Sequence, residues 1–284
     1  MKLLKWYKDF NELIMFQHSI FSLPFIFIAM IVSANGWFGW KLLLLSTLAA
    51  VSARNFAMLT NRYLDKDIDA KNPRTKDRPS VDGRFCKTQL LMLIVINAVI
   101  FIVVAYFINT LAFWLSIPIL IVLGGYSLFK RFSEMAHLVL GLSLGLAPIA
   151  GSIAVEGFVP MWSIMLALGV MFWVAGFDLL YSLQDIEFDK KEGLYSIPSC
   201  YGSGATMFLA RIFHAQAVLF WAFFVATANL GFFAWLAVVV SAGMLMYEHY
   251  IVNKDFTKID RAFFTINGYL GFMVLGLIII DRMV

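Results

Sequence analysis

Charge is what this sequence has little of: only 14% of its 284 residues are Asp, Glu, Lys or Arg, against about 25% in a soluble domain. With 61% hydrophobic residues and a mean hydropathy of +0.82, most of the chain has lipid as its solvent. Cysteine is scarce as well. Cys86 and Cys200 both fall in segments expected on the cytoplasmic side, where reducing conditions disfavour a disulfide, and they form no metal-binding spacing. The four histidines, His18, His137, His214 and His249, are scattered and read as satisfied or interfacial side chains. The short alternating segments of a β-barrel are missing too, which leaves helices to satisfy the backbone in lipid.

What is there is a series of nine apolar runs, near residues 13–34, 42–61, 89–108, 111–129, 137–155, 161–181, 205–227, 231–249 and 263–280. Each matches the roughly 20 residues that a helix needs to cross a bilayer. The expectation is an all-α, multi-pass membrane protein of nine transmembrane helices, forming a single domain over 1–284. The first run is too long for a signal peptide and lacks a small-residue cleavage pattern, so it reads as a retained helix.

Basic residues set the orientation. With the N-terminus inside, Lys2, Lys5, Lys8, the eight cations from Arg62 to Lys87, Lys130, Arg131, Lys190, Lys191, Lys254, Lys258 and Arg261 all lie on the inner side. Lys41 and Arg282 alone lie clearly outside. This is the positive-inside pattern, and it predicts a cytoplasmic N-terminus in the cell inner (cytoplasmic) membrane. The same asymmetry accounts for the net charge of +4, so the basic excess implies no nucleic acid. Nothing in the chain calls for an obligate protein partner.

The outer connections are short, whereas two inner segments, 62–88 and 182–204, are long and charged; such loops are more often functional than idle. Five acids lie between Asp65 and Asp82, and five more between Asp178 and Glu192. The two stretches follow the second and sixth runs, as in a parallel repeat of four helices. In the first, Asn61, Asp65 and Asp69 fall within about 80° on one helical face, Arg54 projects within about 20° of Asn61, and Asp67 points away. In the second, about 120 residues on, Asp178, Tyr181, Asp185 and Asp189 share a face of the same width, without Glu187.

Carboxylates at i, i+4 spacing, with Cβ atoms about 5–6 Å apart, repel by roughly 3 kcal/mol at an effective dielectric near 20. A divalent cation reverses that sign. Mg²⁺ uses one or two carboxylates together with substrate phosphates, so the stripes suit a metal-bridged diphosphate facing the cytoplasm. Arg74, Arg78, Lys130 and Arg131 are nearby cations for phosphate oxygens. Arg54 and Asp178 stand out as ionisable residues inside spans. Gly141 and Gly145 are spaced for close helix packing.

The Asn61/Asp65/Asp69 motif, the Arg74-Thr75 and Arg78 segment after it, the Tyr181/Asp185/Asp189 motif and the Tyr126–Arg131 stretch followed by Leu140-Gly141 resemble the UbiA superfamily of intramembrane prenyltransferases. The resemblance spans nearly the whole chain. It implies that Asp65, Asp69, Asp185 and Asp189 hold Mg²⁺ and a polyprenyl diphosphate, with Arg74, Arg78, Lys130 and Arg131 on the phosphates. It further implies that Arg54 and Asn61 hold an aromatic acid, in ubiquinone or menaquinone biosynthesis; Tyr126 and Tyr181 are weaker candidates for cation–π contact with the carbocation, and Asp178 is a weaker candidate as an acid inside a span. The Gln17–Phe25 segment departs from the Asp-Lys-Pro of ubiquinone-pathway members. It is similar to members near menaquinone synthesis, including the futalosine branch, which leaves 4-hydroxybenzoate and a dihydroxynaphthoate both open as acceptor. The rival reading is a secondary transporter, which also uses repeats and intramembrane carboxylates. A CDP-alcohol phosphotransferase lacks its Asp-Gly and Ala-Arg elements here.

Overall fold

The computed structural model describes residues 2–15, 23–255, 259 and 265–284. Among the described residues every regular element is helical. In chain order these are α1 (Lys2–Ile14), α2 (Leu23–Ala34), α3 (Trp40–Leu64), α4 (Lys66–Asp69), α5 (Lys87–Ile108), α6 (Thr110–Gly125), α7 (Ala136–Glu156), α8 (Met161–Ser182), α9 (Ile186–Glu192), α10 (Ile197–Thr227), α11 (Phe232–Lys254) and α12 (Asn267–Met283). Tight 3₁₀ turns follow α6 over Tyr126–Arg131 and α8 over Leu183–Asp185.

Seven helices among the described residues are long and apolar enough to cross a membrane. They match the second to eighth apolar runs. The first run is represented mainly by α2, a 12-residue apolar helix, and residues 16–22 before it lie outside the described set, including His18 and most of the Gln17–Phe25 segment. The ninth run is α12, and its first residues, 263 and 264, are likewise outside. Lys258 and Arg261 also lie outside the described residues.

The chain divides into two compact units, Met1–Ser19 with Leu44–Leu128, and Ile20–Leu43 with Phe129–Val284. In the first unit, Leu13 and Ile14 of α1 pack on Met58 and Leu59 of α3 and on Phe85 and Leu90 near the start of α5. Ala49 of α3 packs on Phe101 and Val104 of α5. Asn109 closes the α5–α6 turn by capping α6, its Oδ1 accepting from Ala112 N at 2.8 Å. Helix α1 meets the apolar runs only at Leu13 and Ile14, because the charged and apolar residues before them are mixed. An ion-pair cluster holds it: Arg84 reaches Asp9 at 3.0 Å, Glu12 at 2.6 Å and Asp82 at 2.7 Å. Hydrogen bonding to Glu12, above all, raises the Arg84 pKa beyond its ordinary value.

In the second unit α8 is the central element. Its Leu166, Val170, Trp173 and Phe177 pack with Phe25 and Ile28 of α2, Trp221 and Phe224 of α10, and residues of α11 and α12. Trp173 is fully buried, and its indole N–H donates to Asn267 Oδ1 at 2.7 Å. Asn267 in turn donates to Glu248 Oε1 at 2.8 Å, so the core's buried acid has a partner. The glycine pair on α7 is used within this unit: a Cβ at Gly145 would sit 2.8 Å from Ala167 O of α8, and one at Gly141 would overlap Met171 O.

The segment 182–204, expected as a loop, is mostly helical. It consists of the 3₁₀ turn, α9, a short link, and the first turns of α10, with a break at Gly202 (φ +80°) close to where the apolar run starts. Glu187, Asp189 and Glu192 therefore sit on helical backbone, with Asp185 between the 3₁₀ turn and α9.

Candidate functional site

In the first unit the acidic stripe begins inside α3 and crosses a break. Asp65 leaves helical geometry at φ −94°, ψ 6°, the bridge region in which many active-site residues sit. The four-residue register survives, because Asp65 N bonds to Asn61 O at 2.9 Å and Asp69 N bonds to Asp65 O at 2.8 Å. Three motif residues are thus tied in series by their own backbone. The Asn61 side-chain amide also donates to Asp65 Oδ2 at 2.7 Å.

Both carboxylates are deeply buried, with Asp65 1% and Asp69 4% exposed. Burial of that kind needs compensation. Arg78 supplies it for Asp69, with Nη1 2.7 Å from Oδ1. Thr75 positions that arginine: its hydroxyl donates to Asp69 O at 3.0 Å and folds the Arg74–Arg78 turn back onto the helix end. Arg74 is exposed, and Asp67 is exposed as its off-stripe angle requires.

Arg62 was not anticipated. It lies 100° round the helix from Asn61 but only about 20° from Asp69, seven residues on, by ideal geometry, and its Nη1 is 3.9 Å from Asp69 Oδ2. The i, i+7 spacing, kept through the break at Asp65, puts the two on one face. Arg62 is anchored by its Nε, which donates to Leu13 O at 3.4 Å. Arg54 and Tyr126 act electrostatically on Arg62, as does Arg78, which gathers three arginines and a phenol in this unit. Arg54 makes no ion pair among the described residues. An ionisable residue inside an apolar helix of this length is a functional-site candidate by default.

In the second unit the break is repeated. Asp185 ends the 3₁₀ turn at φ −105°, ψ 6° and precedes α9, nearly the backbone state of Asp65. Asp185 and Asp189 are half-buried. Here a hydroxyl takes the place of an arginine: Ser196 Oγ donates to Asp189 Oδ2 at 2.7 Å while capping α10 by accepting from Ser199 N at 3.3 Å. A serine just before Ile197-Pro198 is a helix-start signal, so Ser196 could have been found as a cap, though not as an Asp189 partner. Lys130 is half-buried and lies within electrostatic reach of Asp189; its carbonyl accepts from Tyr195 N at 2.8 Å. Arg131 is exposed. Tyr181 packs against the core from the stripe's side of α8. Asp178, seven residues before Asp185, bonds to His137 Nδ1 at 2.7 Å.

Among the described residues, no three His, Cys, Asp or Glu side chains gather into a metal cage. Each stripe instead offers two carboxylates, an all-oxygen set that suits Mg²⁺ when phosphates and water complete its shell. Asp69 Oδ2 is buried and accepts no hydrogen bond among the described residues, which leaves a lone pair for a hard cation.

The family model of UbiA prenyltransferases matches residues 22–275. A 4-hydroxybenzoate octaprenyltransferase of Herminiimonas arsenicoxydans is 27% identical over 258 residues, 90% of each chain. The apo structure of a UbiA homolog from Aeropyrum pernix K1 is 29% identical, with a TM-score of 0.85 over 93% of this chain and 98% of that one. A UbiA homolog from Archaeoglobus fulgidus bound to DMAPP and Mg²⁺ shares the fold, with a TM-score of 0.73 at 19% identity over 94% and 99% of the two chains.

Proposed function

Starting from the fact that the chain belongs to the UbiA prenyltransferase family, we propose that it transfers a polyprenyl group from polyprenyl diphosphate to a hydroxylated aromatic acid, 4-hydroxybenzoate or a dihydroxynaphthoate, in quinone biosynthesis. The proposal takes 1–284 as one domain with nine membrane crossings, a cytoplasmic N-terminus and a cytoplasm-facing active site in the inner membrane. The observation that carries it is the repeated Asp at a helix break, Asp65 and Asp185, each followed one turn later by a second Asp.

Asp65, Asp69, Asp185 and Asp189 would hold Mg²⁺, which when bound neutralises the diphosphate and stabilises it as leaving group. Arg78 and Lys130 neutralise phosphate oxygens directly, and Arg74 and Arg131, exposed at the same helix ends, attract the donor from solution. The C1–O bond breaks with both electrons leaving on the diphosphate. The allylic cation that remains is attacked by the electron-rich ring. Arg54, with Asn61 two turns on, holds the acceptor's carboxylate and so fixes which ring carbon meets C1. Tyr126 and Tyr181 offer ring faces to the cation, and apolar surroundings keep water from it.

Two features support the acceptor being an acid: Arg54 makes no ion pair among the described residues, and relatives are named 4-hydroxybenzoate octaprenyltransferase. Purified protein in detergent with Mg²⁺, several prenyl diphosphates and each candidate acid tests this by mass spectrometry. A prenylated acid is expected. No product from any pair, together with solute flux through reconstituted liposomes, would instead favour a transporter.

A further inference from the structure

One titratable pair in the second unit is not used by diphosphate binding or by the acceptor's carboxylate. His137 stands on the first turn of α7 and is 4% exposed. Its Nδ1 lies 2.7 Å from Asp178 Oδ2 on α8, and the Asp178 side chain is 24% exposed. The opposite ring nitrogen, Nε2, is buried and meets no hydrogen-bond partner among the described residues. Buried polar atoms are normally satisfied, so this one is placed for a group that arrives.

The pair is also rigidly built. Gly141 lies one turn after His137 and abuts Met171 O, and Gly145 abuts Ala167 O at 2.8 Å for a built Cβ. This close α7–α8 approach sets the ring against Asp178. The imidazole also lies within electrostatic reach of Asp189, at the stripe end of the unit. With Nδ1–H donated to Asp178, the carboxylate selects the tautomer and Nε2 carries the lone pair.

We propose that His137 Nε2 is the proton acceptor of the transfer and that Asp178 is its positioning residue. This rests on the proposed prenyl transfer to a hydroxylated aromatic. The phenolic O–H gives its proton to Nε2, and the oxygen's electron pair moves into the ring. A ring carbon then forms the bond to C1 of the allylic cation left when the C1–O bond to diphosphate has broken, both electrons having gone to the diphosphate. The hydrogen on the substituted carbon leaves as a proton, the phenol oxygen takes one up, and the proton on His137 passes to diphosphate or water. One proton is released per turnover and no redox partner is needed.

The test uses the full-length protein in detergent with Mg²⁺, a prenyl diphosphate and the acceptor that the wild type prenylates, comparing His137→Gln, His137→Ala and Asp178→Asn. General-base contributions run to about 10²–10⁴-fold. His137→Gln should therefore lose about 100-fold or more in kcat, with both KM values within about threefold. Asp178→Asn should lose about tenfold or more in kcat. Added imidazole should restore turnover to His137→Ala, a response that a merely structural histidine does not give. Wild type that prenylates no acceptor overturns the functional reading and this proposal together. Active wild type with His137→Gln within threefold in kcat overturns this proposal alone. So does a loss in both His137 variants that appears in KM, or that tracks a lower melting temperature without imidazole rescue.

Discussion

The two acidic stripes share a backbone and differ in their company. Asp65 and Asp185 sit at helix breaks whose torsion angles differ by about 11° in φ and not at all in ψ. Yet the first stripe is buried and set among Arg54, Arg62 and Arg78, whereas the second is half-open and held by Ser196, with His137 and Lys130 in electrostatic reach. The geometry that presents the carboxylates is common to both units, and the neighbours differ. On the present account the first unit is specialised for anions and the second for donor oxygens and a proton.

If the shared geometry is what matters, Asp65→Asn and Asp185→Asn should be equally damaging, each lowering turnover by about 10³-fold or more while the protein still inserts and folds; steady-state transfer assays and a melting curve check both. A large disparity between them would break the symmetry. The anion specialisation is sharpened by Arg54→Ala, expected to raise the aromatic-acid KM by about 10–100-fold, the scale of a hydrogen bond to a charged group. The donor KM should stay within about threefold. An equal rise in both would move Arg54 out of the acceptor pocket. Ser196→Ala removes the hydroxyl that holds Asp189 and should cost less than about tenfold in kcat/KM, with no counterpart in the first stripe. Arg84→Ala, remote from both stripes, should leave turnover unchanged and lower the melting temperature by only a few degrees, because exposed ion pairs contribute little.

Local pattern was legible in the sequence. Apolar run length placed six of the seven helices long and apolar enough to cross a membrane to within about five residues at each end, while α10 begins eight residues before its run, and helical arithmetic separated Asp65 and Asp69 from the exposed Asp67. The Gly141/Gly145 spacing told of close packing, and the structure spends it on α8. Partnership across distance was not legible. His137 and Asp178 are 41 residues apart on different helices, and a scattered histidine carries no ligand spacing. Arg62 lies about 20° from Asp69 on an ideal helix, so that one pairing was open to the same helical arithmetic and was missed. Helix α1 escaped notice because run length detects lipid-facing helices and not amphipathic ones.

The most direct test of the account is Mg²⁺-dependent donor binding, read as the melting-temperature shift that a prenyl diphosphate induces in the detergent-solubilised protein with and without Mg²⁺. A ligand that binds the folded state stabilises it by mass action, so the wild type should show a shift that requires Mg²⁺. Asp65→Asn and Asp185→Asn should each lose it. A wild-type shift retained by either variant would contradict the claim that both stripes hold the diphosphate.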